Sequence, residues 1–352
     1  MAEKRIALDF SKDELKAYMA ELGEPAFRAK QVFQWLHKGV PFGEMGNLPK
    51  ALREKLANEC YDLPMREHQV FASQKDDTVK FLFACEDGNL IESVLMHYHY
   101  GYTLCISTQV GCKMGCAFCA STLNGCVRNL SAGEMLAQVL LANRYLAGQG
   151  HVGHIVLMGS GEPLDNYRNT VRFLRLVNDP DGLNIGLRNI SVSTCGLVPQ
   201  IYELAEEGLP ITLSISLHAP NDEIRQQMMP IAKRYPLLEL MEAVRAYVRQ
   251  TGRRVIFEYA LAGGLNSGRA QARELAKLIG GLQCHVNLIP LNRVEESVLA
   301  PANSAEVQDF LKTLEGLNIS VTCRREMGAD ISGACGQLRH QHLKNNDKID
   351  TI

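Results

Sequence analysis

The sequence predicts an α/β protein: a partial (βα)6 barrel with a small N-terminal helical domain and a β extension. Three observations lead there. From Tyr102 the chain alternates short apolar runs with amphipathic stretches of helical period, the pattern of a parallel sheet crossed by helices. Six such units suit a curved, incomplete barrel better than a closed one of eight. The residues that carry chemistry fall just after the strands, where ligands gather in these folds.

Residues 1–65 read as the helical domain. Ser11 and Glu14 form a capping-box pattern ahead of Leu15, Tyr18, Met19 and Leu22. Gly23 ends that helix and Pro25 suits the start of the next, whose apolar face is Phe27, Val32, Trp35 and Leu36. Leu48–Leu56 supplies a third face, and Lys12, Lys16, Arg28, Lys30 and Lys38 are candidates to meet a phosphate backbone or simply a solvated surface. Residues 66–97 turn extended, with Val79–Ala84 and Leu90–Met96 flanking the turn pair Asp87-Gly88. In the core, 98–330, strands are expected at Thr103–Ser107, Ile155–Met158, Ile190–Ser193, Thr212–Leu217, Val255–Leu261, His285–Ile289 and Ile319–Arg324. The first intervening helix opens on a second capping box, Ser131 and Glu134, and others are expected near 167–177, 198–207, 236–250, 268–280 and 304–315. Residues 331–352 form a C-terminal segment.

Composition narrows the class. Apolar residues make 46% and charged residues 22%, ordinary for a globular protein with a sizeable core. No stretch has the length of a membrane span, and MAEKRIALDFSKDE lacks the apolar run of an export signal. A cytoplasmic location is therefore expected, with the eleven cysteines mostly reduced. A net charge of −2 announces no nucleic-acid binder, so any RNA contact must come from local patches.

The chemistry centres on residues 105–126, CISTQVGCKMGCAFCASTLNGC. Cys112, Cys116 and Cys119 stand at C-x₃-C-x₂-C spacing, a metal-ligand arrangement whose thiolates favour zinc or iron–sulfur chemistry. Zinc normally closes its shell with four ligands, and no second cysteine pair of that kind follows. Three cysteines on a four-iron cluster leave one iron open to a non-protein ligand, with Phe118 placed to shield it. A zinc knuckle and three unrelated core cysteines remain the alternatives at this point.

The motif resembles that of the radical S-adenosylmethionine (SAM) enzymes, in which the amino and carboxylate groups of SAM chelate the open iron. Further stretches run in order: MGSGEPLDN, ISVSTCGLVP, SLHAPNDEIR, HVNLIPLN and CRREMGADISGACGQL, with DFSKDEL and RAKQVFQWL near the N-terminus. Together they resemble the RNA adenine methyltransferases of the RlmN/Cfr family that modify C2 of adenosine in 23S rRNA and tRNA, over nearly the whole chain. The barrel is then a radical-SAM barrel. The strand-end residues become SAM contacts: Gly161 and Glu162 of GSGEP, Ser193, the run Ser216, Leu217 and His218, and Asn292. Backbone amides at Gly161–Glu162 are expected to meet the amino and carboxylate end of SAM.

C2 of adenine is an electron-poor C–H carbon, so it cannot simply attack the methyl of SAM. The resemblance implies a two-stage route with two SAM molecules. The first methylates a cysteine thiolate. The second yields a 5′-deoxyadenosyl radical, which takes hydrogen from the S-methyl group, and the methylene radical adds to C2. Loss of the C2 proton and attack by a second cysteine free the product and leave a disulfide. Cys335, in a loop rich in small residues, matches the methyl carrier; Cys105 matches the resolving cysteine; Glu92 matches the proton acceptor. Cys60, Cys85, Cys126, Cys195, Cys284 and Cys323 match no role and read as packing residues. The implied cofactors are a [4Fe-4S] cluster and SAM. The implied partners are 23S rRNA or tRNA and an electron donor of flavodoxin or ferredoxin type, acting on a monomer. Arg253-Arg254, Arg324-Arg325, Arg339 and Lys344 are candidate phosphate contacts. Two rivals are the related C8-methylating resistance enzymes, disfavoured by Pro163 and by TQVGC at 108–112, and a non-catalytic zinc-binding RNA module, which needs neither Cys335 nor SAM motifs.

Overall fold

The computed structural model describes residues 4–291, 299–324 and 327–331. A ten-stranded sheet organises the chain, and its spatial order follows the sequence. β1 (Met65–Ala72), β2 (Val79–Cys85) and β3 (Leu90–Tyr98) form an antiparallel meander, and β4 (Gly101–Cys105) pairs antiparallel with β3. From β4 onward every pairing is parallel: β5 (Val152–Leu157), β6 (Ile190–Thr194), β7 (Thr212–Ser216), β8 (Val255–Leu261), β9 (Cys284–Pro290) and β10 (Val321–Cys323). The β extension and the parallel core are thus one continuous sheet. Β-branched and aliphatic residues dominate the central strands because both of their faces are covered.

The sheet curls into an open barrel. β3 and β10 stand seven strand spacings apart, roughly 34 Å in a flat sheet. Yet Arg324, just past β10, brings its Nη2 within 3.8 Å of the Met96 Sδ on β3. Helices cover the outside: α4 (Ala132–Tyr145), α5 (Tyr167–Val177), α6 (Val198–Glu206), α7 (Asp222–Met228), α8 (Leu237–Thr251), α9 (Arg269–Ile279) and α10 (Ser304–Gly316). The Ser131–Glu134 capping box is present with both of its reciprocal bonds, as is the one at Ser11–Glu14.

The N-terminal helices α1 (Lys12–Glu21), α2 (Phe27–Leu36) and α3 (Lys50–Glu59) bury Met19, Val32 and Leu52 in the same apolar core as the barrel. Two expectations here are corrected. Phe27 sits at the first position of α2, 59% exposed, with the Arg28 guanidinium over its ring. Lys12 is not a free surface cation, since it bridges Asp179 and Asp181, and Lys30 pairs with Asp181 while its side chain stays 60% exposed. They pin the helices to the loop after α5. Among the described residues no helix is long and apolar enough to cross a membrane.

Candidate active site

The carboxyl ends of β4–β8 open into a cavity of about 330 Å³. The cysteine loop closes one end of it. After Cys105 the chain enters a two-stranded antiparallel ribbon, Gln109–Gly111 against Cys126–Asn129, and Cys112 N–H donates to the Gly125 carbonyl at 2.9 Å. That neck turns residues 112–125 into a closed excursion. Its tip is tied to the end of α7 by Ala117 N–H donating to the Met228 carbonyl, 2.9 Å. Gly115 takes φ 70° at the bend, a value that favours glycine.

Cys112, Cys116 and Cys119 all line the cavity, and the Phe118 ring stands edge-on to His218 with centroids 4.8 Å apart. Among the described residues no three His, Cys, Asp or Glu side chains converge as one metal ion would require. An iron–sulfur cluster imposes no such convergence, since each cysteine binds its own corner iron. Burial pushes the Cys112 thiol up to about 12 and raises Cys116 further. The site itself therefore favours thiols, and the positive charge of bound iron is what would convert them to thiolates. Soft donors, separated around one cavity with room at its centre, fit a cluster.

The loop after β5 is clasped to the chain leading into the ribbon. Ser160 carbonyl accepts from Thr108 N–H (2.9 Å) and Gln109 N–H (3.1 Å), and Gly159 N–H donates to Ile106 carbonyl at 3.0 Å. A Cβ at Gly161, φ 108°, would stand 2.6 Å from Gln109 Cβ. Glu162 lies fully inside this arrangement. Its Oε1 accepts from Leu164 N–H (2.9 Å) and its Oε2 from Cys195 N–H (2.8 Å), joining the β5 and β6 ends. Burial raises its pKa, and those amides oppose the rise. The expectation that the Glu162 amide meets SAM is corrected: that N–H donates to Gln109 Oε1 at 2.9 Å.

Ser193 and Ser216 both line the cavity, with hydroxyl oxygens 3.4 Å apart. His218 holds φ 56° and its Nδ1 accepts from Ala260 N–H at 2.9 Å, which places the ring proton on Nε2. Burial, aided by the Arg225 charge, pushes its pKa down to about 3, so it is neutral near pH 7. Leu217 belongs to the core instead: its N–H donates to the Glu258 carbonyl and its side chain is fully buried away from the cavity. Asn292 lies outside the described residues.

The opposite wall is apolar. Cys105 packs with Val94 and Met96 in a small cluster of its own, flanked by Met158 and Met327. Glu92 is no surface carboxylate. It is 3% exposed, and its Oε2 sits 2.8 Å from Nζ of Lys80, which is wholly buried. The strand alternation puts it on the same face of β3 as Val94 and Met96. Cys335, with the segment 331–352 that carries it beyond Ile331, lies outside the described residues, as do Arg325, Arg339 and Lys344. Arg324 lines the cavity, and Arg253 donates to the Ile211 carbonyl, so neither is a simple surface cation.

Sequence reasoning missed Glu258 and Lys80. Glu258 lines the cavity from β8, its Oε2 accepting from Asn287 Nδ2 at 2.7 Å, with burial raising its pKa. The available signal was a lone charge inside an apolar strand: Lys80 in VKFLFAC, Glu258 in VIFEYAL.

Residues 106–279 match the radical SAM superfamily, and residues 7–61 match the ribosomal RNA large subunit methyltransferase N-terminal domain. The chain is 52% identical over 341 residues to the "Probable dual-specificity RNA methyltransferase RlmN" of Clostridium novyi (strain NT), covering 96% of this chain and 99% of that protein. It is equally 52% identical to the protein of that name from Alkaliphilus oremlandii (strain OhILAs), over 97% and 100% of the two chains. Among solved structures, a radical SAM methyltransferase from Sphaerobacter thermophilus superposes with TM-score 0.92 at 43% identity, covering 95% of this chain and 98% of that one.

Proposed function

The chain belongs to the RlmN family of radical SAM RNA methyltransferases, and from that premise we propose that it methylates C2 of adenosine, at position 2503 of 23S rRNA and position 37 of tRNAs. One observation carries the reading: Cys112, Cys116 and Cys119 share a single cavity with Cys105. A [4Fe-4S] cluster held by the three cysteines would supply the electron that cleaves SAM to a 5′-deoxyadenosyl radical. Gly161, Glu162, Ser193, Ser216 and His218 line the space that SAM would take beside it, and Leu217 braces the strand ends behind them. Asn292, outside the described residues, is a further SAM contact in this reading. His218, neutral with its proton on Nε2, can donate to an acceptor without adding charge.

Cys335 takes the methyl group as a thioether, the 5′-deoxyadenosyl radical would take one hydrogen atom from that methyl, and the resulting methylene radical adds to C2 of the base. Glu92, 2.8 Å from the Lys80 Nζ, accepts the C2 proton after the carbon–carbon bond forms. Cys105 then attacks Cys335 Sγ as a thiolate, breaking the sulfur–methylene bond. The bonding pair leaves on the methylene carbon, which takes a proton to become the product's methyl group, and a disulfide remains to be reduced. The methionine-rich wall around Cys105 keeps water from the intermediates. The base must leave its stack at a cost of a few kcal/mol, which rRNA and tRNA loops reduce because their bases are already partly splayed. A flavodoxin- or ferredoxin-type donor and a monomeric enzyme complete the reading.

The test is anaerobic turnover of reconstituted enzyme with SAM, reductant and unmodified 23S rRNA fragments or tRNA, followed by mass spectrometry of the nucleosides. 2-Methyladenosine is the expected product. 8-Methyladenosine would move the enzyme to the C8 branch, and no methyladenosine despite SAM cleavage would overturn the substrate.

A further inference from the structure

The turn between β1 and β2 grips the chain just ahead of Cys335. Asp330 spans the turn with both carboxylate oxygens: Oδ1 accepts from Ser73 Oγ at 2.7 Å and Oδ2 from Gln74 N–H at 2.8 Å. Asp76 returns the contact, its Oδ2 accepting from Gly328 N–H at 3.0 Å and its Oδ1 from Thr78 N–H at 2.9 Å. Ser73 Oγ in turn accepts from Lys75 and Asp76 N–H, so the receiving turn is preformed. Gly328 holds φ 63°, and a Cβ there would come within 3.1 Å of Thr78 Cγ2. The partners are more than 250 residues apart in sequence, as Asp76 and Gly328 are by 252.

This contact crosses the open side of the barrel. The chain leaves β10 at Arg324 against Met96, places Met327 on the cavity wall beside the Cys105 cluster, and is then fastened at Gly328 and Asp330. Cys335 follows Asp330 by five residues, so it can lie no more than about 18 Å from that anchor. The sulfur must reach SAM, the base and Cys105 in turn, and a short tether fixed at the cavity rim limits its search to that volume.

We propose that Ser73, Asp76 and Asp330 are positioning residues: a polar latch that holds the start of the methyl-carrying segment at the cavity rim, so that each SAM-derived radical meets a methylated Cys335. This rests on the reading of Cys335 as methyl carrier. Without the latch, SAM is still cleaved but the radical takes its hydrogen atom from a solvent, buffer or reductant C–H or S–H bond instead of from the S-methyl group, giving 5′-deoxyadenosine without methyl transfer.

The experiment compares full-length reconstituted enzyme with Asp330→Ala, Ser73→Ala and Asp330→Asn. It reads 5′-deoxyadenosine formed per methyladenosine, deuterium uptake across residues 327–331, and the melting temperature. In Asp330→Ala the ratio should rise about tenfold to a hundredfold, the upper figure being the cost of a 1 Å misplacement of a reactive group, with faster uptake at 327–331. Asp330→Asn should restore coupling in part, because its one amide oxygen can accept from Gln74 N–H or from Ser73 Oγ but not replace both carboxylate bonds. Ser73→Ala, which removes a single side chain's bonds, decides the matter should Asp330→Ala fail to fold. An unchanged ratio in both latch variants overturns the latch while the methyl-carrier reading stands, provided Cys335→Ala is inactive. Methylation by Cys335→Ala would overturn both.

Discussion

Lys80 and Glu92 form a buried ion pair with almost no access to water, 2.8 Å apart on adjacent strands. Removing one partner from such a pair leaves an uncompensated charge and costs about 3–5 kcal/mol, whereas replacing both by apolar groups is close to neutral. Glu92→Ala should therefore lose both stability and activity, which says nothing of proton transfer. The double variant Lys80→Met/Glu92→Leu separates the two. Urea unfolding should show stability near that of the parent, and nucleoside mass spectrometry should show no methyladenosine; a stable double variant that still methylates would falsify Glu92 as acceptor. Gly161 supports a second prediction. Its φ of 108° and a Cβ 2.6 Å from Gln109 Cβ mean that Gly161→Ala must displace the loop, at about 1–3 kcal/mol of strain. Calorimetric SAM binding should weaken about tenfold or more, since each 1.4 kcal/mol is a factor of ten. The site was legible where chemistry sits in short motifs, as with Cys112, Cys116, Cys119 and Gly161. Glu258 and Lys80 showed only as lone charges in apolar strands, and their partners, which come from other strands, are revealed only by pairing in space.

Among the elements, α2 ends on a buried histidine whose two ring nitrogens have no hydrogen-bonding partner among the described residues. His37, the cap of α2, is buried and stacked on Phe33 with centroids 4.0 Å apart. The approach is close enough that a Cβ on Gly182 would lie 2.4 Å from its Nδ1. Burial pushes its pKa down to about 4 from an ordinary 6.5. Between those values the unfolded chain holds a proton that the folded chain does not, so stability rises with pH across the window and falls on acidification. At the lower end the loss is about 3 kcal/mol. Urea midpoints measured at pH 7 and pH 4 should move less in His37→Leu than in the parent. Asp181 acts in a separate window: the Lys12 and Lys30 bonds hold it down to about 2, so its contribution fades only as pH falls below the ordinary carboxylate range. Elements were readable where burial is two-sided or a cap is present, as in β2 and α4. β1 was not delimited, since its MREHQVFA is exposed at most positions and shows no alternation. Helix α7 was missed because its seven residues span barely two turns, although Asn221 caps it.

At the scale of the whole molecule, the question is whether the N-terminal helices are an appendage or part of the fold. Helix α4 answers it. Residues 132–142 of this helix are all buried, which a helix with one sheet-facing stripe cannot achieve. Its outer face, carrying Gly133, Leu140 and Arg144, is covered by the N-terminal residues. Gly133 N–H donates to Asp9 Oδ1 at 2.7 Å, and Arg144 donates to the Gly39 carbonyl at 3.1 Å. A Cβ at Gly133 would lie 2.7 Å from Ile6 Cγ2, so the two parts meet with no slack. Deleting residues 1–61 should expose that face together with the core contacts of Met19, Val32 and Leu52. At about 1.5–3 kcal/mol for each large apolar side chain uncovered, the loss is several kcal/mol. A drop in melting temperature on the order of 10 °C follows for a chain of this size, with new binding of a hydrophobic dye. A truncated protein that melts with the parent and binds no dye would mean that the helices fold and function as an independent body. The point variant Gly133→Val tests the same seam within the full chain. It should lower the melting temperature in the same direction by wedging α4 from Ile6, while leaving the cavity residues in place.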